Sequence, residues 1–327
     1  MLRTSCISML MLICVTASAQ TDAPVPDPTE TVLVVGQRPG PGMWKVSKGD
    51  HVLWVFATYS PLPSKMQWRS QQVEAVIARS DVYLSPPTLG ASVGLLGGLK
   101  MLPHLAGMRN NPRGAMLRDV VPPEVYARWR VLKAKYGVSD DAEKERPVFA
   151  AEKLYRAALQ HAGLATSDEV SKSIQAMLTK KNIKVIASHV QLEVPNPGKT
   201  LKEFKQSSMD DAACFKTTIE RLEGDVEAMR ERANAWAKGD LSDIRKLSFA
   251  DRDAACQSAF TSSPALRDGL ELVGAEKRVR KLWLEAAEHA LATYPDSFAM
   301  LKLSNVLRSD YVMTELQARG YTVEAPD

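Results

Sequence analysis

The side chains of this chain that could bind a metal or activate water are few and widely spaced. No two histidines are separated by three or four positions, the spacing that places two imidazoles on one face of a helix toward a metal ion. The histidines are His51, His104, His161, His189 and His289. The sequence therefore contains no local zinc motif. Each histidine is expected to be an ordinary surface or core residue, with His189 as the best candidate for burial.

A serine nucleophile is the second possibility. Gly90-Ala91-Ser92-Val93-Gly94 matches the G-x-S-x-G pattern, in which a sharp turn between a strand and a helix exposes a serine hydroxyl. Two prolines, Pro86 and Pro87, separate this pattern from the preceding predicted strand. A stretch with this many glycines also produces such a match readily. The sequence favours a turn or a small-residue helix here, and a nucleophile is the alternative.

The first 19 residues have the pattern of an export signal. Arg3 precedes an apolar run from Ile7 to Val15, and Ala17-Ser18-Ala19 supplies the small side chains of a cleavage site. The run is too short to span about 30 Å of hydrocarbon. We therefore expect a signal peptide cleaved before Gln20, and a periplasmic or secreted protein without a stable membrane span after its removal.

Two cysteines, Cys214 and Cys256, remain once Cys6 and Cys14 leave with the signal peptide. In an oxidising compartment they can form one internal disulfide. Closing a loop of roughly 40 residues would stabilise the folded chain by about 4 kcal/mol. Two buried free thiols are the alternative. A catalytic thiol needs a base nearby, and no sequence feature marks one.

Composition indicates a folded globular protein and excludes several classes of partner. Hydrophobic residues make up 45% of the 327 residues and charged residues 24%, which is typical of a protein with a packed core. A net charge of +4 is too small to indicate nucleic-acid binding. No G-x-x-x-x-G-K-[ST] loop occurs, so nucleotide binding has no support. The basic stretch at 230–246 is interleaved with acids, which favours a solvated helix face, and Trp236 within it is expected to pack in the core.

The chain is predicted to contain one domain, 43–327, after a Pro/Gly-rich linker at 20–42. A β-hairpin is expected around Lys48-Gly49-Asp50, where two β-rich runs flank a tight turn. The apolar Gly-rich segment 89–107 is expected to form a helical hairpin, buried or facing a partner. Further helices are predicted at 70–79, 122–136, 147–162, 168–180, 209–237, 276–293 and 309–318, and further strands at 81–84, 183–194, 297–303 and 321–324. This pattern predicts an α/β to α+β fold, a mixed β-sheet core with many surrounding helices.

Several strings, in order along the chain, resemble the TraB/GumN-like family, which is related to TIKI-type metalloproteases. They are WKVSKGDHVLWVFATYSPLP (44–63), NPRG (111–114), VVPPEVYARW (120–129), FAAEKLYRAAL (149–159), ANAWAKGDL (233–241) and SFAMLKLSNVLRSDYVMTELQARGYTVE (297–324). The first string resembles a hairpin that ends in a Gly-Thr-x-His element and Leu-Pro. The last resembles the closing strand, helix and strand of the family. The resemblance covers most of the chain after the signal peptide.

The resemblance implies a metal site in typical members, and this sequence departs from it at every ligand. In the family the presumed ligands are a Gly-x-x-His, a Glu that closes the next strand, and a second Gly-x-x-His near the end. Here Ser60 and Asn305 stand at the two histidine positions and Ser85 at the glutamate position, while Ala57 and Lys302 replace the glycines. Hydroxyl and amide groups are poor ligands for zinc-like ions. The resemblance therefore implies the family fold with a vestigial site that holds no catalytic metal and needs no cofactor.

The resulting expectation is an extracytoplasmic family member that has lost metal-dependent hydrolase activity and acts by binding or assembly. Its partner would be a small polar ligand or an envelope protein. ETVLVVGQR (30–38) resembles the motif by which TonB-dependent receptors offer a strand to an energy-coupling protein. The first alternative is a hydrolase or peptidase of the cell envelope, using Glu74 or Asp81 with His51, or using Ser92. The second is a structural component of the envelope or of polysaccharide export.

Overall fold

The structure is a computed structural model that describes residues 41–64, 66, 68–165, 169–224, 226–246, 252–270, 272 and 274–326. The predicted signal peptide, residues 20–40 of the predicted linker and the ETVLVVGQR segment lie outside the described residues.

A mixed sheet of six strands forms the centre of the fold, in the order β10-β1-β2-β9-β4-β7. The strands are β1 (Met43–Lys48), β2 (His51–Thr58), β3 (Leu62–Pro63), β4 (Val82–Leu84), β5 (Thr88–Ser92), β6 (Leu164–Ala165), β7 (Lys184–Ile186), β8 (His189–Glu193), β9 (Asp296–Lys302) and β10 (Thr322–Glu324). Within the sheet β2, β9, β4 and β7 are parallel, and β1 is antiparallel to its neighbours β2 and β10. Two small pairs, β3-β6 and β5-β8, lie outside this sheet.

Helices surround the sheet and confirm the predicted α+β class. They are α1 (Gln71–Arg79), α2 (Gly94–Leu105), α3 (Leu117–Val120), α4 (Pro123–Lys135), α5 (Pro147–His161), α6 (Glu169–Lys181), α7 (Pro197–Gln206), α8 (Ala212–Gly224), α9 (Val226–Ala237), α10 (Leu241–Lys246), α11 (Arg252–Ser262), α12 (Pro264–Gly269), α13 (Ala275–Thr293), α14 (Leu303–Leu307) and α15 (Val312–Ala318). Short 3₁₀ turns occupy Pro112–Gly114 and Asp140–Lys144.

The predicted hairpin is confirmed, and its second strand, β2, lies in the middle of the sheet beside β9. β1 and β2 pair with Lys48 opposite His51, and Gly49 takes a left-handed backbone conformation (φ 64°) in the turn between them. Leu53, Val55 and Phe56 of β2 are completely buried. This apolar strand pairs in parallel with β9, so residues more than 200 positions apart lie side by side in the centre of the molecule.

The buried apolar side chains form two hydrophobic cores. The first packs the sheet against residues of α1, α6, α9, α13 and α15, and includes Trp236, as predicted. The second lies among α3, α4, α5, α8 and α11, where Trp129 packs against Phe215 with ring centroids 5.3 Å apart. In this second core the predicted disulfide between Cys214 and Cys256 joins α8 to α11.

Several predicted elements are divided differently in the structure. The single helix predicted at 209–237 is two helices, α8 and α9, and α8 ends at Gly224. The single β segment predicted at 183–194 is two strands in different sheets, β7 and β8. The segment 89–107 is a strand, β5, followed by one helix, α2, and the prediction of a helical hairpin was wrong.

Two predictions about burial were also wrong. His189 is exposed, and it lies on the two-stranded pair β5-β8 and not in the central sheet. Arg232, predicted to lie on a solvated face, has only 1% of its surface exposed. Among the described residues, no helix is both long enough and apolar enough to cross a membrane.

Candidate functional site

Three adjacent strands of the central sheet end at the same edge. β2, β9 and β4 run in parallel, with Thr58 opposite Lys302 and Leu84 opposite Ala299. Their carboxyl ends therefore lie together, and we call this region the carboxyl edge. In open sheets with parallel strands, ligands bind in the crevice outside the carboxyl ends. The carboxyl edge is thus the part of the fold where a site is expected.

All three positions singled out by the sequence follow these strand ends. Ser60 comes two residues after β2, Ser85 directly after β4, and Asn305 three residues after β9, within α14. Ser60 is exposed, whereas Ser85 and Asn305 are half-buried. The topology therefore brings to one edge three residues that are far apart in the sequence. Lys302, the exposed last residue of β9, adds a positive charge there.

Ser85 already has a structural hydrogen bond. Its hydroxyl accepts from the backbone N–H of Ser188 at 3.2 Å, and its own N–H donates to the carbonyl of Ile186 at 3.1 Å. These bonds connect the end of β4 to the end of β7. One acceptor site of the hydroxyl oxygen is therefore used by the backbone, and the side chain has a role that does not require a ligand.

The end of β2 is supported from behind by α9. The indole N–H of Trp236 donates to the carbonyl of Ala57 at 2.8 Å, and the same ring packs edge-on against Phe56. Next along the chain, burial raises the pKa of Tyr59 to about 12, although the positive charges of Arg232 and Arg221 act to lower it. Charged and aromatic side chains thus lie directly beneath the carboxyl edge.

Sequence reasoning missed Arg232 as a buried neighbour of this edge. A signal was present, because Met229, Arg232 and Trp236 recur at spacings of three and four and so share one face of α9. Met229 and Trp236 are both buried on that face. The helical period therefore indicates that Arg232 is buried, whereas the charges of its neighbours in the sequence wrongly indicated that it is exposed.

The side chains of Ser60, Ser85 and Asn305 do not fit a catalytic divalent ion. Catalytic zinc sites use imidazole, thiolate or carboxylate ligands. Ser60, Ser85 and Asn305 supply two hydroxyls and an amide, and no negative charge. Within the described part of the chain, no group of three or more His, Cys, Asp or Glu side chains is placed to hold a metal ion.

Two of the three residues considered for an alternative metal site, His51 and Asp81, lie at the other edge of the sheet. His51 begins β2 at the opposite edge of the sheet, where its Nδ1 donates to the carbonyl of Leu291 at 2.7 Å. Asp81 precedes β4 at that same amino edge. Glu74 lies on α1 and accepts a hydrogen bond from Ser70. His51 and Asp81 therefore do not contribute to the carboxyl edge.

Ser92 lies between a strand and a helix, a placement that the sequence did not predict. It ends β5, and α2 begins at Gly94, which has a left-handed backbone (φ 59°). The partner of Ser92 in the strand pair is Glu193, whereas His189 pairs with Thr88 four residues away. That separation is about 13 Å along a strand. The ring nitrogens of His189 lie 3.1 Å from Thr88 Oγ1 and 2.5 Å from Gln191 Oε1, so this histidine is not placed to activate Ser92.

The fold is an α+β fold with a mixed central sheet. Neutral polar side chains follow the carboxyl ends of three of its parallel strands. The chain belongs to the TraB/PrgY/gumN family, whose model matches residues 42–325. This confirms the family resemblance of the sequence. A search of curated proteins and a search of solved structures each found no match.

Proposed function

We propose that this chain is an extracytoplasmic member of the TraB/PrgY/gumN family that has lost metal-dependent hydrolysis and acts by binding or assembly. The observation that carries the proposal is the carboxyl edge, where Ser60, Ser85 and Asn305 follow three adjacent parallel strands. The family resemblance leads us to expect histidine, glutamate and histidine at these positions.

The chemistry of these side chains supports the loss of hydrolysis. Activation of water requires a metal ion that lowers the pKa of the bound water, and such an ion needs ligands that offset its charge. Neutral hydroxyls and an amide offset none, and Lys302 adds a cation. The same groups are suitable donors and acceptors for a small polar or anionic ligand.

We also propose the predicted organisation of the chain: a signal peptide at 1–19, a linker at 20–42 and one domain at 43–327. The Cys214–Cys256 disulfide supports an oxidising compartment, because such bonds persist mainly outside the cytosol. The family match from residue 42 supports the start of the domain.

Metal analysis of the purified chain tests the loss of the metal site. After dialysis against a metal-free buffer, we expect wild-type protein to contain no stoichiometric zinc, manganese or cobalt by plasma mass spectrometry. The variant Ser60→His/Ser85→Glu/Asn305→His serves as the matched positive control, since it supplies imidazole and carboxylate ligands at the same edge, and we expect it to retain zinc. A stoichiometric transition metal in the wild type would overturn the proposal.

A serine hydrolase is the second candidate, favoured by one observation. Ser92 lies between β5 and α2, the kind of strand-to-helix position that an exposed nucleophile requires. Because His189 is occupied elsewhere, we expect no labelling of Ser92 by a fluorophosphonate probe. Labelling of the wild type that disappears in Ser92→Ala, with an unchanged thermal melt, would establish the hydrolase instead.

A further inference from the structure

A basic surface pocket of about 300 Å³ lies where the end of α2 meets α7. Three cationic side chains and three amides contribute its polar lining. They are Arg113, Lys202, Lys205, Asn110, Asn111 and Gln206. No lining residue is acidic. The pocket uses none of the residues of the carboxyl edge, so it is a separate candidate site.

Among the described residues, none of the three cations has an ion-pair partner, while comparable cations nearby do. Arg109 pairs with Glu145 at 3.3 Å, and Lys199 pairs with Glu203 at 3.7 Å. Arg113 and Lys202 are exposed, and neither has a carboxylate within ion-pair distance among the described residues. Their positive charges are therefore available to a ligand.

Two of the other polar side chains of the pocket, those of Lys205 and Asn111, donate hydrogen bonds to backbone carbonyls. Lys205 donates from its Nζ to the carbonyl of Ala106 at 2.8 Å, which fixes its ammonium group at the pocket wall. Asn111 is buried, and its amide donates to the carbonyl of Glu145 at 2.8 Å. Arg113 adopts a left-handed backbone (φ 57°), which is strained for a residue with a side chain and recurs at ligand sites.

We propose that this pocket binds the phosphate group of a ligand. A guanidinium group forms paired hydrogen bonds to phosphate oxygens, and ammonium groups add charge-assisted bonds. Arg113, Lys202 and Lys205 supply these groups around one pocket without a competing carboxylate. The exposed amides of Asn110 and Gln206 supply further donors.

Exposed leucines on α2 lie beside the pocket, so the phosphate group could belong either to a soluble compound or to a phospholipid. Leu102 and Leu105 are 59% and 43% exposed and lie three positions apart, on one face of the helix that ends at the pocket. A soluble phosphate compound would use only the basic pocket. A phospholipid headgroup would use the pocket and also place apolar chains against these leucines.

Titration calorimetry with inorganic phosphate and glycerol phosphate tests the pocket on the full chain. We expect Arg113→Gln/Lys202→Gln to weaken binding by about a hundredfold, because each of the two lost charge-assisted hydrogen bonds contributes roughly the free energy of a tenfold change. Lys199→Gln is the matched control, since it removes a charge from the same helix outside the pocket, and we expect unchanged affinity. Thermal melts of all variants monitor folding.

Sedimentation with vesicles separates the two sources of phosphate. Binding to phosphatidylglycerol vesicles, absent with phosphatidylcholine and lowered by both Arg113→Gln/Lys202→Gln and Leu102→Gln/Leu105→Gln, would assign a lipid headgroup. Phosphate binding without vesicle binding would assign a soluble ligand. Absence of binding to every phosphate probe, or an equal loss in Lys199→Gln, would overturn the proposal. These outcomes are independent of the metal content at the carboxyl edge.

Discussion

At the scale of single residues, the chemistry of the carboxyl edge depends on what three side chains can donate or accept. Ser60, Ser85 and Asn305 are neutral, and the hydroxyl of Ser85 already accepts the N–H of Ser188. Compared with the ligands that the family resemblance implies, each of these side chains would be a weaker metal ligand, and together they supply no negative charge. These identities are readable in the sequence, because the family resemblance assigns each position without knowledge of the fold.

Burial of Tyr83 gives a residue-scale prediction about stability at alkaline pH. Burial raises the pKa of Tyr83 from 10.0 to about 12. In the unfolded chain this hydroxyl ionises near pH 10, whereas in the folded chain it stays protonated. The free energy of unfolding should therefore fall as pH rises from about 10 to about 12, by about 2 kcal/mol for this residue.

Urea denaturation of wild type and Tyr83→Phe at pH 8 and pH 12 measures this contribution. We expect the decrease in the free energy of unfolding to be smaller in the variant. Tyr59→Phe should behave similarly, because burial also raises the pKa of Tyr59 to about 12. Equal decreases in Tyr83→Phe and wild type would contradict the assignment.

At the scale of elements, local patterns predicted the strands of the central sheet and about half of the helices, but not α3, α7, α10, α11, α12 or α14. Pro123 and Pro147 begin α4 and α5, where a proline at the first helical turn loses no hydrogen bond. Gly49 permits the tight turn of the β1-β2 hairpin. These signals act within a few residues of the chain, so they do not depend on the tertiary structure.

The disulfide gives an element-scale prediction, because it joins α8 to α11 within the helical core. Cys214 and Cys256 are 42 positions apart, and on the chain-entropy model a loop of this length stabilises the fold by about 4 kcal/mol. We expect Cys214→Ala/Cys256→Ala to lower the free energy of unfolding by that order, and to lower amide protection in α8 and α11 more than in the central sheet.

Chemical denaturation with and without dithiothreitol, combined with hydrogen exchange, checks this prediction. Reductant should destabilise the wild type, whereas the double alanine variant, which has no bond to reduce, is the control. A wild-type stability that does not change on reduction would show that the bond makes no net contribution.

Other element boundaries could not be predicted, because they depend on distant partners. The residues at 183–194 favour extended structure throughout, but β7 pairs with β4 and β8 pairs with β5, so the run is divided between two sheets. His189, which was expected in the core, is therefore on an exposed part of β8. Periodicity within a segment does not specify which sheet the segment joins.

At the scale of the whole molecule, the site and the core result from the meeting of distant parts of the chain. β2 near the beginning of the domain pairs with β9 near its end, and β4 pairs with β9 on the other side. The parallel direction of these three strands is what collects Ser60, Ser85 and Asn305 at one edge. The basic pocket likewise combines Arg113 with Lys202 through the packing of α7 against the 3₁₀ turn at Pro112–Gly114.

The sequence by itself predicted the family, an α/β to α+β fold, two cysteines able to form one disulfide, and the identity of the three neutral residues, because each depends on residue types and on patterns along the chain. Only the tertiary structure decided that these residues share an edge and that Arg113 and Lys202 line one pocket. The physical reason is that strand order and helix packing are fixed by burial of apolar surface between segments far apart in the chain. A local pattern of residues does not specify which distant strand or helix a segment packs against.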